Sequence, residues 1–242
     1  MIQKTIMLIL DSHQSSAKMS IPTKETPTNS DVSPWLASLV YPLGRYFVLP
    51  FYFKSLEVIG QEHLPKQGPV ILAPTHRSRW DALIVPFATG RHVTGRDLRF
   101  MVTVDEMKGL QGWFIRHLGG FAVNQKHPTI ATLRYGLELL HQGEMLVIFP
   151  EGNIFQDHQV HPLKPGLARL ALQAETSYHN LGIKIVPMSL HYDPIIPHQG
   201  ARVQVRIGSP LSVLDYSQGS IKKNAQSLMQ DLEFALHQID QQ

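Results

Sequence analysis

The chain has 242 residues, 43% hydrophobic and 17% charged, enough for one domain with a sizeable core. Its formal charge is +3 with Lys and Arg scattered, so it lacks the clustered basic footprint of a nucleic-acid binder but suits an anionic membrane surface. It holds no cysteine, which excludes disulfides, thiol nucleophiles and Cys-ligated zinc or iron–sulfur sites.

Residues 5–10 form an apolar run that is short for a signal peptide and lacks a small-residue cleavage site, so a secretory signal is not expected. Residues 11–34 are rich in Ser, Thr, Pro and Lys, and residues 1–34 read as a flexible N-terminal tail. Residues 35–53 read WLASLVYPLGRYFVLPFYF, with Arg45 as the single charge. A spanning helix needs about 20 mostly apolar residues. This stretch is broken by Pro42 and Pro50 and dense in aromatics, so residues 35–55 are expected to lie as a helical segment in a membrane interface. An apolar helix packed on the domain's own core is the competing reading.

Beyond this segment short β-rich runs occur at 56–59, 70–73, 100–104, 145–149, 185–190 and 203–207. Helical periodicity lies between several of them. Residues 129–142 put Ile130, Leu133, Leu137 and Leu140 on one face, and residues 166–175 do so with Leu167, Leu170, Ala171 and Ala174. Residues 220–238 repeat the pattern with Leu228, Leu232, Ala235 and Leu236. This alternation predicts a single α/β domain over 56–242, with a central, largely parallel sheet flanked by helices. The pair Gly119-Gly120 reads as a turn between Leu118 and Phe121.

His76 and Asp81 carry the strongest chemical signal, an HxxxxD spacing just past the apolar run 69–73. A histidine that takes a proton needs a carboxylate to hold its tautomer and stabilise its charged form. In one continuous helix five residues would set the two side chains about 140° apart. They can meet only if a helix starts between them. Ser78 suits an N-cap, with Asp81 three residues later, which places His76 on a loop and Asp81 in the first turn. Taken alone, the spacing also suits a merely capping aspartate.

Further along, Glu151 follows Phe149-Pro150 at the end of a strand, where α/β proteins bind ligands. It could accept from a substrate hydroxyl or be a solvated turn residue. Asp157, His158 and His161 match no strong metal spacing, and no metal site is expected. Pro187 marks another strand terminus.

Taken in order, these pieces resemble the PlsC-like glycerolipid acyltransferases. Thr75-His76-Arg77-Ser78-Arg79-Trp80-Asp81 matches the family's NHxSxxD block with Thr75 in place of Asn. Gly119-Gly120-Phe121-Ala122-Val123-Asn124-Gln125 stands where the family has GGxFVDR. Phe149-Pro150-Glu151-Gly152-Asn153-Ile154-Phe155 stands against FPEGTRS, and Ile185-Val186-Pro187-Met188 against a short VP block. Leu163-Lys164-Pro165-Gly166 looks like the Lys-x-Gly segment after the third block.

The resemblance implies acyl transfer from a thioester to a lysophospholipid hydroxyl, typically that of 1-acylglycerol-3-phosphate. His76 would be the general base and Asp81 would orient it. Glu151, Gly152, Arg77, Arg79, Gln125, Asn153 and Lys164 would contact the acceptor, and Pro187 would shape the acyl-donor side. Acyl-CoA or an acyl carrier protein would be the co-substrate, with no cofactor. Membrane lipids would be partners, nucleic acid would not, and the protein would sit on the cytoplasmic face as a peripheral or monotopic protein. Two departures bear on the acceptor: the phosphate-binding arginines of the second and third blocks are here Gln125 and Ile154. Either Arg77, Arg79, Lys126 or Lys164 replaces them, or the acceptor is phosphate-free, such as a neutral lipid alcohol. A non-catalytic lipid-binding protein and a thioester hydrolase are the other classes this pattern admits.

Overall fold

Residues 30–124, 129–216 and 219–241 are described by the computed structural model. The expectations for residues 1–29, Gln125 and Lys126 lie outside these described residues. The strands are β1 (Ser55–Ile59), β2 (Val70–Pro74), β3 (Leu98–Thr103), β4 (Gly120–Val123), β5 (Met145–Val147), β6 (Lys184–Asp193), β7 (Arg202–Ile207) and β8 (Leu211–Ser212). They form one sheet in the order β1-β7-β6-β2-β5-β3-β4, with β8 on β6. All pairings are parallel except those of β6 with β7 and with β8. The domain is thus α/β with a largely parallel sheet.

The strand residues alternate between two apolar clusters, as a pleated sheet covered on both faces requires. On β2, Ile71 and Ala73 join one cluster while Val70 and Leu72 join the other. The first face is covered by α6 (Ile130–His141), α7 (Gly166–Tyr178) and α8 (Ile221–Asp240). The second is covered by α3 (Asp81–Thr89) and by α2 (Leu49–Tyr52), which follows α1 (Pro34–Leu43) and a wide π turn (Gly44–Val48). Short α4 (Arg91–Thr94) leads into β3, and α5 (Gly109–His117) joins β3 to β4.

Where a helix starts with a clean signal, the residues act as their types suggest. Thr129 caps α6 by accepting from the Thr132 backbone N, and Ser220 caps α8 by accepting from the Lys223 N. The pair Gly119-Gly120 is only half a turn. Gly119 has φ +95°, but Gly120 opens β4, a strand the periodicity did not suggest. A Cβ at Gly120 would stand 2.3 Å from the Ile115 side chain, so the missing side chain is what lets α5 lie against the strand.

The N-terminal segment is both a packed helix and an exposed apolar face. Leu36, Ala37, Leu49 and Phe53 are buried, whereas Trp35, Leu39, Tyr46, Phe47 and Phe51 are exposed. The end of the expected tail is held: the Ser30 N donates to the Tyr135 hydroxyl and the Ser33 N to the His117 carbonyl. Among the described residues no helix is long and apolar enough to cross a membrane.

Candidate active site

The parallel strands β2, β5 and β3 are neighbours, so the loops leaving their carboxyl ends converge, the usual ligand position in such sheets. The loop after β2 carries His76. Its Nδ1 lies 2.8 Å from Asp81 Oδ2. A carboxylate only accepts, so Nδ1 carries the hydrogen and the neutral ring presents its lone pair at Nε2. The ring stacks on Phe149 at 3.9 Å, which fixes its plane.

Asp81 is fully buried at the first position of α3. Its Oδ2 also accepts from the backbone N of Arg77 (2.7 Å) and Ser78 (3.0 Å), and its Oδ1 accepts from the Tyr192 hydroxyl (2.6 Å). The helix therefore does begin between His76 and Asp81, but Ser78 is not its cap. Trp80 holds the N-cap position, and the Asp81 carboxylate reaches back over the loop in place of a capping hydroxyl. Trp80 packs its ring on Tyr52 at 4.2 Å.

Glu151, after β5, is 2% exposed and meets four donors. Arg77 binds it bidentately at 2.8 and 3.0 Å, and the backbone N groups of His76 (2.8 Å) and His161 (2.9 Å) complete the set. This corrects two expectations about acceptor contact. Arg77 is 3% exposed, drawn inward by the buried carboxylate, and Glu151 has its oxygens filled by protein. Together they tie the His76 loop to the loop after β5. Pro187 is also away from the cavity, buried within β6 opposite Ala73. His161 Nε2 pairs with Asp157 at 2.8 Å, and among the described residues no cluster could hold a metal.

His76 opens on a cavity of about 1300 Å³, larger than the roughly 300–1,000 Å³ of an ordinary small-molecule site. Its lining reaches both faces of the sheet. Leu49, Phe87 and Phe100 belong to the α3 side, and Ile148, Leu167 and Leu170 to the α7 side. Its polar groups include Arg79, Glu106, Gln111, Asn153 and Lys164. Arg79 and Gln111 both donate to Glu106. Lys164 lies across Gly152: a Cβ there would be 2.5 Å from its Nζ, and Gly152 has φ +73°.

A family model described as acyltransferase matches residues 55–191, more than half of the chain. The chain belongs to the acyltransferase family. It is 25% identical over 161 residues to the 1-acyl-sn-glycerol-3-phosphate acyltransferase of Streptococcus pneumoniae, covering 64% of this chain and 54% of that protein. It is 26% identical over 162 residues to the protein of the same name from Pseudomonas aeruginosa, covering 63% and 57%. The chain thus spans just over half the length of these two curated relatives. The crystal structure of the 1-acyl-sn-glycerophosphate acyltransferase PlsC from Thermotoga maritima superposes with a TM-score of 0.61 at 20% identity, over 85% of this chain and 79% of that one, a likeness of fold.

Within the acyltransferase fold, the sequence pattern located His76, Asp81, Gly152, Asn153, Arg79 and Lys164 around one site. It missed Phe149 as the stacking partner of His76, although Phe149 lies within the quoted third block. It also missed Tyr192, which no local pattern marks, and the place of Glu106 on the cavity wall.

Proposed function

We propose that this chain transfers an acyl group from a thioester, carried by coenzyme A or an acyl carrier protein, to the free hydroxyl of 1-acyl-sn-glycerol-3-phosphate. The observation that carries the reading is the His76–Asp81 pair at the wall of a large apolar cavity. His76 Nε2 takes the acceptor's hydroxyl proton as that oxygen attacks the thioester carbonyl. The imidazolium is held by Asp81, and returns its proton to the departing thiolate as the tetrahedral intermediate collapses. The acceptor oxygen is the nucleophile, so no acyl-enzyme is formed. The Arg77–Glu151 pair acts by fixing the His76 backbone. Lys164 and Arg79 are the cationic groups offered to the acceptor's phosphate.

The exposed aromatic face of the N-terminal helices borders the same cavity through Val40, Tyr41, Gly44 and Arg45. It supports docking on a lipid surface as a peripheral or monotopic protein, with lipid substrates entering from the bilayer. A second reading, a phosphate-free lipid alcohol as acceptor, is favoured by one observation. Ile154, at the family's arginine position, lines the cavity together with the Glu106 carboxylate.

The test is an acceptor screen with labelled acyl thioester, using the protein beside His76→Ala. Lysophosphatidate, other lysophospholipids, diacylglycerol and a long-chain alcohol are compared. Product with lysophosphatidate, reduced about 10²–10⁴-fold in His76→Ala, is the expected result. Product with the neutral alcohols alone selects the second reading. Wild-type protein that acylates no acceptor overturns both.

A further inference from the structure

Tyr192 lies near the end of β6 and is 2% exposed. Its ring packs near Phe53, with centroids 6.1 Å apart, a place a phenylalanine would fill equally well. The hydroxyl therefore needs a reason, since a buried tyrosine O–H must find a partner. Its partner is Asp81 Oδ1 at 2.6 Å. The other carboxylate oxygen, Oδ2, takes His76 Nδ1 and two backbone N–H groups. Tyr192 is thus the one hydrogen-bond donor to Oδ1 among the described residues. Burial, with the charge and hydrogen bond of Asp81 added, pushes the phenol well above its usual range, so it remains a donor.

The same strand grips the loop on the other side of His76. The Thr75 N donates to the Met188 carbonyl, and the Leu190 N donates to the Thr75 hydroxyl. β6 therefore holds the loop at Thr75 and the helix start at Asp81, with His76 between them.

We propose that Tyr192 is a positioning residue for the His76–Asp81 pair. It locks the carboxylate so that Oδ2 faces the imidazole, and it draws charge toward Oδ1, moderating the pull of Asp81 on the imidazolium. The proposal rests on His76 being the general base. The charged groups nearby are the Arg77–Glu151 pair behind the His76 backbone, Arg79, Glu106 and Lys164 on the cavity, and His191 with Asp240 beside β6. Tyr192→Phe changes none of them.

Loss of the hydroxyl leaves more of the Asp81 charge for His76. Tyr192→Phe should then move the acid limb of the kcat/KM profile upward by about half to one pH unit, and lower kcat about tenfold. In the Asp81→Asn background the same change should cost less than about twofold, because its route is gone. An unmoved acid limb, or a full additional loss in the double variant, would make Tyr192 a merely structural residue and overturn the proposal. If wild-type protein acylates nothing, the functional reading fails but this inference is still decided by NMR. The His76 ring signals, assigned with His76→Ala, should titrate at higher pH in Tyr192→Phe, and an unchanged titration refutes it. If Tyr192→Phe does not fold, wild type is compared with Asp81→Asn. A slowly exchanging, downfield hydroxyl proton should be present in the first and lost in the second, and its absence from wild type refutes the contact.

Discussion

Replacing Arg77 by Ala should destabilise the protein far more than a change two residues away. The side chains of Arg77 and Glu151 are 4% and 0% exposed, and their two hydrogen bonds are 2.8 and 3.0 Å long. Removing one partner of such a pair leaves a buried charge without its counter-ion, which costs about 3–5 kcal/mol. For a domain of this size each kcal/mol lowers Tm by about 2–4 °C, so Arg77→Ala should fall by roughly 6–20 °C. The exposed Arg79, paired with Glu106 at 3.1 Å, should lose less than about 1 kcal/mol in Arg79→Ala. Thermal unfolding followed by circular dichroism reads both. The double variant Arg77→Met/Glu151→Leu separates stability from chemistry. It removes both charges but leaves the His76 and His161 backbone N groups without their acceptor, so only part of the lost Tm should return. The His76 backbone N has still lost its acceptor, so kcat should stay low. A fall of less than about 3 °C in Arg77→Ala would refute the argument, as would full activity in the double variant.

Three further predictions follow from the geometry. Phe47→Ser with Phe51→Ser removes two exposed rings from the N-terminal face, and each buried Phe contributes about 1.5–3 kcal/mol. Flotation with anionic vesicles should show binding weakened by a hundredfold or more, with Tm unchanged; this is a cleaner test than removing residues 1–53, which would uncover the core that Leu49 and Phe53 cover. Gly44→Trp adds a ring where a Cβ meets nothing within 4 Å on the cavity wall. Acyl-chain competition should shift toward shorter chains, by about fourfold in kcat/KM per excluded methylene at ~0.8 kcal/mol each; an unchanged preference would mean that this arm holds no chain. Burial, reinforced by the Asp97 charge, pushes the Tyr41 phenol up to about 12. Its unfolded value is about 10, so its contribution is intact below pH 10 and lost as pH rises toward 12. Denaturant titrations should show Tyr41→Phe gaining relative to wild type across that window.

The strands were legible because buried parallel strands read as short apolar runs, and the helices between them show clear periodicity. Strand β4 was not, because Gly120 is explained only by Ile115 packing from α5, a contact between elements. The His76–Asp81 contact could be inferred from five residues of local geometry. The destination of Arg77 could not, since its partner Glu151 is 74 residues away in the chain, and an arginine in a loop ordinarily faces water. Tyr192 was hidden for the same reason, since its target lies 111 residues earlier. Local chemistry is written in short spacings, whereas the supports of that chemistry are long-range pairs.

The wide turn at Gly44–Val48 settles how the N-terminal segment can be covered on one side and greasy on the other. Ala37 and Leu49 are both buried and stand twelve positions apart. A regular helix advances about 100° per residue, which would set them about 120° out of phase. The turn absorbs one residue, shown by the Leu49 N reaching back five positions to the Gly44 carbonyl, and the mismatch drops to about 20°. The segment therefore works as two half-helices clocked into alignment by one surplus residue. Single substitutions among the outward aromatics leave the alignment intact, and deleting one residue between Gly44 and Val48 would close the wide turn into a regular helix that still keeps Ala37 and Leu49 about 20° out of phase, whereas deleting a second would set them about 80° apart and rotate Leu49 and Phe53 off the sheet.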